Sequence, residues 1–310
     1  MVVEPGGASK PPASPATARA GVVVLLKRSI RYGLKRLGGR DRWEVVGFLR
    51  EQVEHNAFLL GQIARDALHR ESVAGIFVGY YGDGALEGVL CVGSNLVISE
   101  PCSARAVEAF ALYARESGWA LRVAVGPEAH IAAFMDRYGR DPREIAMERP
   151  RELLYRVDHT QLCGPGPCAE LRLAEVTEVE RLMRADLAMV SEELGFDPFS
   201  QDLGSFRDGW LRRIRERRAW VVGIIDQPPI FKVEASAVSE DVVQISGVYT
   251  TPRWRRQGLA QRAIGGLCHA LLEEVPVVTL YVHRENTPAI RLYEALGFVL
   301  AGEVRSVWFY

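Results

Sequence analysis

The chain has 310 residues, too many for one average domain and enough for two domains with sizeable cores. Lys and Arg total 38 against 39 Asp and Glu, and this balance excludes a global charge that would favour nucleic acid or anionic membranes as partners. Because 48% of the residues are hydrophobic and no apolar run approaches the ~20 residues of a membrane span, the composition predicts a soluble globular protein.

The first half of the chain begins with a segment rich in Pro, Ala, Gly and Ser. Such a segment buries too little apolar surface to order itself, so residues 1–20 are predicted to be a disordered tail. Apolar spacing then predicts a helix, and two strand-like runs around the turn residues GDG indicate a hairpin. A helix, a strand, a short helix and the late strand RELLYRV complete this half.

The second half repeats this order of elements. Two helices, a strand and a turn precede the strands IFKVEASAV and DVVQISGVYT and the helix LAQRAIGGLCHALLEE. A strand, the helix PAIRLYEALG and the closing strands FVLAGEVRSVWFY end the chain. Two Gly-Pro pairs mark the seam between the halves. We therefore predict two α/β units, residues 21–160 and 161–310, each a mixed sheet covered by helices.

The segment VYTTPRWRRQGLA joins a predicted strand to a predicted helix. A helix N-terminus carries roughly half a positive charge and several free N–H groups, and Gly258 leaves the backbone open to an approaching anion. Arg253, Arg255 and Arg256 add charges that pair well with phosphate oxygens. An arginine-rich loop alone is more often a solvated turn, but in this setting we interpret the segment as a pyrophosphate site.

Two motifs near this junction resemble the acetyl-coenzyme A signature of the GNAT superfamily of N-acyltransferases. They are Arg255, Gly258 and Ala260 directly after GVYT, and the later run ENTPAIRLYEALGF. The resemblance implies that backbone amides of the first motif hold the pyrophosphate of acetyl-CoA, the co-substrate, while the preceding strand pairs with the two amides of pantetheine. The coenzyme-binding residues that it implies are Val248, Tyr249, Thr250, Arg255, Arg256, Gln257, Gly258, Leu259, Ala260, Gln261 and Asn286.

Tyr293 is the first candidate for a catalytic residue. Thr287 suits an N-cap, Pro288 the first helical position and Gly297 the residue beyond the end, so Tyr293 falls on the inward face of a short helix. A tyrosine in that place is often simply part of the core. The family resemblance implies instead that Tyr293 is the general acid near the thioester sulfur, since a phenol with a pKa near ~10 is protonated at neutral pH.

Glu234 is the candidate general base. It lies in the middle of a predicted inner strand, where an acid is costly to bury without a partner or a task. The alternative of an outward, solvated residue on the other face of the strand stays open. Gln244 stands where some GNAT relatives carry a catalytic carboxylate, and an amide is no useful base. A water held by Glu234 and Gln244 would supply the missing base.

The first half has the same order of elements without the coenzyme-binding residues. At the corresponding strand-to-helix junction the sequence is SNLVISEPCSARAVEAF, which lacks the glycine and the paired arginines. The first half is therefore predicted to bind no coenzyme A. The whole chain resembles tandem GNAT proteins in which a degenerate domain precedes an active one, each a mostly antiparallel mixed sheet flanked by helices. Mycothiol synthases share this tandem arrangement, but no residue set here dictates their substrate.

The cysteines indicate a reducing compartment and no metal. Five of them are scattered over the chain, too few for a disulfide framework, so we predict a cytoplasmic protein. His159, Cys163 and Cys168 lie close together, but no fourth ligand has a spacing that suits zinc. Cys268, inside a predicted helix, is expected to be a small buried hydrophobe.

Two hypotheses about function follow from these predictions. The first is an acetyl-CoA-dependent N-acetyltransferase in which an amine-bearing acceptor, either a small molecule or a protein amine, attacks the thioester directly in a ternary complex. The second is a non-catalytic acyl-coenzyme A binding or sensing module, which the amide at Gln244 favours. Either protein is expected to be a monomer or homodimer with no nucleic-acid or membrane partner.

Overall fold

The computed structural model describes residues 33–65, 68, 75–139, 141–194 and 203–310. The predicted tail at residues 1–20 lies outside this described part. Within the described part, no helix combines the length and the apolar character that a membrane crossing requires.

The first half follows the predicted order with three differences: a short strand precedes the first helix, the predicted first helix is divided into two, and the second strand-like run forms two strands. Its strands are β1 (Leu34–Arg36), β2 (Ile76–Gly82), β3 (Ala85–Val92), β4 (Asn95–Ile98), β5 (Val123–Pro127) and β6 (Ile145–Val157). Its helices are α1 (Arg42–Leu49), α2 (Ala57–Ala64), α3 (Ala104–Ser117) and α4 (Glu128–Tyr138). The GDG hairpin is confirmed, because β2 pairs antiparallel with β3, and Asp83 and Gly84 in the turn both have positive φ angles.

The second half follows the same pattern. Its strands are β7 (Leu171–Leu173), β8 (Ala219–Val222), β9 (Phe231–Val238), β10 (Val242–Thr250), β11 (Val277–Val282) and β12 (Val299–Phe309). Its helices are α5 (Val179–Leu194), α6 (Leu203–Arg215), α7 (Leu259–Leu272) and α8 (Thr287–Ala295). The residues predicted to form closing strands make one long strand, β12.

The strands of the described residues join in one mixed sheet. Its order is β1-β2-β3-β4-β5-β12-β6-β11-β10-β9-β8-β7. The pairs β4 with β5 and β10 with β11 are parallel, and the other neighbours are antiparallel, which confirms the predicted mostly antiparallel mixed sheet. When β7 is matched to β1, β8 to β2 and so on, the order reads the same from either end. The two units are therefore related by an approximate two-fold symmetry of topology.

The two units exchange their last strands at the centre of the sheet. β6 inserts between β11 and β12, and β12 inserts between β5 and β6. Residues Leu153 to Val157 of β6 pair with β11, whereas β12 pairs with β5 from Val304 to Trp308. The division at residues 160 and 161 stays a prediction, and the sheet of each predicted unit contains a strand from the other unit.

Helices cover both faces of the sheet in the second unit. α7 and α8 pack on one face around a core that includes Ile264, whereas α5 and α6 cover the other face around Trp210. Side chains alternate along each strand, so β8 sends Val222 to the first core and Val221 to the second. Cys268 is fully buried in the first core, as expected from the sequence. The candidate site lies where β10 and β11 separate between these layers.

Candidate active site

The cleft begins where β10 diverges from β11. The parallel pairing of these strands ends at Gln244 and Thr279. Beyond that point β10 bulges, with a register shift against β9 between Ser246 and Tyr249 and with Gly247 at a φ of 59°. The edge of β10 that faces β11 is left without a strand neighbour, and such an edge can pair with an extended ligand.

A buried ion pair supports this bulge from behind. Lys232 Nζ donates to the carbonyl oxygen of Gly247 at 2.9 Å and lies 2.6 Å from Oδ1 of Asp186 on α5. The Lys232 side chain is 1% exposed, and an ammonium group buried so deeply needs partners of this kind. Trp210 Nε1 on α6 donates to the other oxygen of Asp186 at 3.2 Å. Two helices thus hold the bulge in place.

A cavity of about 1070 Å³ occupies the cleft. Its walls come from β10, the start of α7, the end of β11 and the start of α8, together with parts of β6 and α5. Each coenzyme-binding residue that was predicted from the sequence lines this cavity except Gln257. The amide of Gln257 instead donates to the carbonyl oxygen of Arg253 at 3.2 Å, and Arg253 also lies outside the cavity wall.

The N-terminus of α7 opens into the cavity without a side-chain cap. Gly258 occupies the N-cap position at a φ of 70°, and the first-turn residues Leu259, Ala260 and Gln261 line the cavity. Arg256, at a φ of 61°, is also in the left-handed region, so the chain turns sharply into the helix. The free backbone N–H groups of such a helix start form an anion site.

Arg255 is engaged within the protein. Its Nη2 lies 2.7 Å from Oε2 of Glu192, and its Nε donates to the carbonyl oxygen of Thr250 at 2.8 Å. The guanidinium stacks over the ring of Tyr249 at 5.4 Å, and the hydroxyl of Tyr249 donates to Oε1 of Glu192 at 3.0 Å. These contacts fix the segment between β10 and α7, so the backbone amides and Arg256 are the groups that face an anion.

The start of α8 forms the opposite wall. Asn286 is the N-cap, and its Oδ1 accepts a hydrogen bond from the amide of Ala289 at 3.3 Å. The prediction that Thr287 caps this helix is wrong by one residue, because Asn286 is an equally suitable cap and precedes it. Gly297 follows the helix at a φ of 90°, as predicted.

Tyr293 projects from α8 to the cavity. The residue is 5% exposed, and its ring packs against Phe298 with centroids 5.7 Å apart. Burial raises the pKa of the phenol well above its ordinary value, and the negative charge of Glu193 raises it further. Tyr293 therefore stays protonated at neutral pH and is able to donate a proton.

Glu234 and Gln244 are placed differently from each other. Glu234 is 7% exposed, its Oε2 lies 3.0 Å from Nε of Arg213 on α6, and it is absent from the described cavity wall. The alternative prediction of a solvated Glu234 is therefore wrong. Glu234 also does not line the cavity. Gln244 does line the cavity, and its Oε1 has no hydrogen-bond partner among the described residues.

A group of charged residues in the cavity wall was not predicted from the sequence. Glu152 on β6 accepts a hydrogen bond from the hydroxyl of Ser306 at 2.7 Å. Arg149 Nη1 lies 3.5 Å from Glu152 and 3.9 Å from Glu193 on α5, and so bridges the two carboxylates. The Glu193 side chain is 45% exposed, yet the surrounding protein removes enough water to raise the pKa of this carboxyl group.

Comparison with known proteins agrees with this geometry. Residues 221–309 match the family model described as FR47-like protein. A GCN5-related N-acetyltransferase from Kribbella flavida superposes with a TM-score of 0.51 at 20% identity, covering 84% of this chain and 95% of that one. A tandem GNAT protein from the clavulanic acid biosynthesis pathway also has a TM-score of 0.51, at 14% identity, covering 89% and 97%. This chain therefore has the fold of these GNAT proteins, and residues 221–309 resemble the FR47-like family.

Two curated relatives of this chain are mycothiol acetyltransferases. The one from Nocardiopsis dassonvillei is 30% identical over 130 residues, which are 41% of this chain and 36% of the relative. The one from Thermobifida fusca is 40% identical over 62 residues, or 20% of this chain and 19% of the relative. This chain thus aligns with 36% of the length of the first relative and 19% of the length of the second.

The two units differ at the helix start that follows their fourth strand. In the first unit, Ser103 is the N-cap of α3, and its hydroxyl oxygen accepts from the amide of Ala106 at 3.2 Å. The same hydroxyl donates to Glu87 at 2.7 Å, which puts a carboxylate beside the helix start. At the start of α7, Gly258 leaves the corresponding amides open. Among the described residues, the amides at the start of α3 are therefore capped by a side chain, whereas those at the start of α7 are not.

Proposed function

We propose that this GNAT protein is an acetyl-CoA-dependent N-acetyltransferase that moves the acetyl group to an amine by direct attack in a ternary complex. The observation that carries the proposal is one cavity that joins a free strand edge, an uncapped helix N-terminus and a buried tyrosine. Each of these three features suits a different part of the co-substrate.

The backbone of the second unit suits the binding of acetyl-CoA, which supplies an activated acetyl thioester. At Gly258 a side chain would be strained because of the positive φ, and the amides that follow form the cradle for the pyrophosphate. The edge of β10 from Val248 to Thr250 suits the two amides of pantetheine. Arg256 adds a positive charge, and Asn286 lines the same cavity from the start of α8.

Tyr293 is proposed as the general acid. The amine nitrogen forms a bond to the carbonyl carbon, the carbon–sulfur bond breaks, and the phenol gives its proton to the departing sulfur. The raised pKa keeps the phenol protonated until that moment. The proton that the amine loses passes to a separate base, so the phenol does not have to serve both roles.

For the base we infer Glu193 in preference to Glu234. Glu193 lines the cavity, and its charge acts on the phenol of Tyr293. A carboxylate whose pKa is raised accepts a proton from an amine more readily. Glu234, in contrast, lies beneath the β10 bulge and is paired with Arg213. Its proposed contribution is to the shape of the bulge.

The competing function is a non-catalytic acyl-coenzyme A sensor, which Gln244 in place of a carboxylate favours. The two proposals differ in the release of free coenzyme A thiol from acetyl-CoA with a library of amines. For an enzyme we expect turnover that falls about a hundredfold in Tyr293→Phe, with acetyl-CoA affinity retained. Binding of acetyl-CoA without turnover of any amine, or turnover that Tyr293→Phe leaves unchanged, would contradict the proposed mechanism.

A further inference from the structure

We propose that the acceptor is a small polar amine with a second hydrogen-bond donor or positive charge and without a carboxylate, held by Glu152, Glu193 and Gln244. This inference rests on the proposed acetyl transfer and adds the chemistry of the acceptor. It concerns the part of the cavity wall that the first unit helps to build through β6.

The cavity wall carries groups of both signs. The start of α7 and Arg256 supply positive charge, while Arg255 is neutralised by its contact with Glu192. In the wall that β6 and α5 contribute, the carboxylates of Glu152 and Glu193 share the single guanidinium of Arg149. With both carboxylates ionised, this group of three side chains has an excess of one negative charge and attracts a cation.

Arg149 has little capacity left to bind a carboxylate of the acceptor. Its side chain is 12% exposed, and its Nη2 donates to the backbone oxygen of Glu193 at 2.9 Å. The guanidinium also stacks over the ring of Trp308 at 5.8 Å. An acceptor carboxylate would therefore meet the charges of Glu152 and Glu193 without a free partner, and like charges brought together in a cavity are unfavourable.

Gln244 independently indicates a hydrogen-bond donor on the ligand. The residue is 7% exposed, it lines the cavity, and its Oε1 has no partner among the described residues. A buried oxygen without a donor costs free energy that a ligand N–H or O–H group can recover. Gln244 pairs with Thr279 on β11, and Tyr281 pairs with Leu154 on β6, so Gln244 and Glu152 lie on the same face of the sheet.

The direct test uses three amines of one length: 1,4-diaminobutane, 4-aminobutan-1-ol and 4-aminobutanoate. With the full chain and saturating acetyl-CoA, we expect kcat/KM to be highest for the diamine and lowest for the amino acid, by about tenfold or more between these two. Equal or better turnover of 4-aminobutanoate would overturn the inference. So would the absence of diamine turnover when acetyl-CoA binds.

Substitution of Glu152 tests whether its charge selects the acceptor. Glu152→Gln keeps an acceptor for Ser306 and is expected to raise KM for the diamine about tenfold, while KM for acetyl-CoA stays unchanged. Glu303→Gln is the matched control, because Glu303 lies on the adjacent strand and pairs with Arg151 outside the described cavity wall. If both variants keep the same preference between the amines, Glu152 does not select the acceptor.

A calorimetric titration of the same preparation with acetyl-CoA tells whether the acceptor inference or the proposed function has failed. Absence of acetyl-CoA binding contradicts the proposed function itself. Binding together with turnover that favours the amine carrying a carboxylate contradicts the acceptor chemistry alone.

Discussion

At the scale of single residues, the candidate site separates the proposed proton donor from the proposed proton acceptor. Tyr293 is kept neutral by burial and by nearby negative charge, whereas Glu193 opens into the same cavity with a pKa above its ordinary range. A neutral phenol and a basic carboxylate have opposite tasks in acyl transfer to an amine. Their environments assign those tasks without a metal or a covalent intermediate in the proposed scheme.

The pH profile of kcat tests the role of Glu193. A base must be deprotonated, so activity is expected to fall as the pH drops through the folded pKa of Glu193, which lies above the ordinary ~4.3. Glu193→Gln should lower kcat about a hundredfold and remove this acidic limb. Glu234→Gln is the comparison, and loss of the limb in that variant alone would assign the base to Glu234 instead.

Sequence reasoning located some of these residues and missed others for a physical reason. Gly258 and Tyr293 belong to short motifs whose local chemistry, a helix start and a helix face, is visible in the chain. Glu152 and Glu193 resemble solvated residues of a strand and a helix, and only the fold turns them toward a cavity. The burial of Glu234 was expected to need a partner, but nothing local in the sequence identifies Arg213.

At the scale of elements, the bulge of β10 is the feature that opens the cleft. The carbonyl of Gly247 turns toward the helix layer. There its oxygen accepts a hydrogen bond from the ammonium of Lys232. Asp186 balances the charge of Lys232. We expect this pair to act on the site through the shape of β10, since it is buried behind the strand.

Lys232→Met tests this support. Removing one member of a buried ion pair leaves Asp186 unpaired and the Gly247 carbonyl without its donor, so unfolding free energy should fall by about 3–5 kcal/mol. Adding Asp186→Asn should recover part of the loss, because Asn is neutral and still accepts from Trp210. Urea unfolding measures both variants. A Lys232→Met protein with wild-type stability would show that the pair does not hold the bulge.

At the scale of the whole molecule, the exchange of β6 and β12 joins the two units into one continuous sheet. The repeated order of elements was predictable, because apolar periodicity and turn residues are local signals. The exchange was not, since the pairing of Glu152 with Val304 connects residues that are far apart in sequence and RELLYRV contains no signal for its partner. The first unit thus contributes Arg149 and Glu152 to a site whose motifs lie in the second unit.

The difference between the helix starts of the two units predicts one coenzyme site per chain. Ser103 and Glu87 occupy the helix start in the first unit, whereas Gly258 opens it in the second. The most direct measurement is a calorimetric titration of the full chain with acetyl-CoA. We predict one acetyl-CoA site per chain. The affinity for acetyl-CoA should be about tenfold weaker in Gly258→Ala, because alanine is strained at a φ of 70°. It should be unchanged in the control Gly209→Ala, which lies in α6. No binding, two sites per chain, or wild-type affinity in Gly258→Ala would contradict the account.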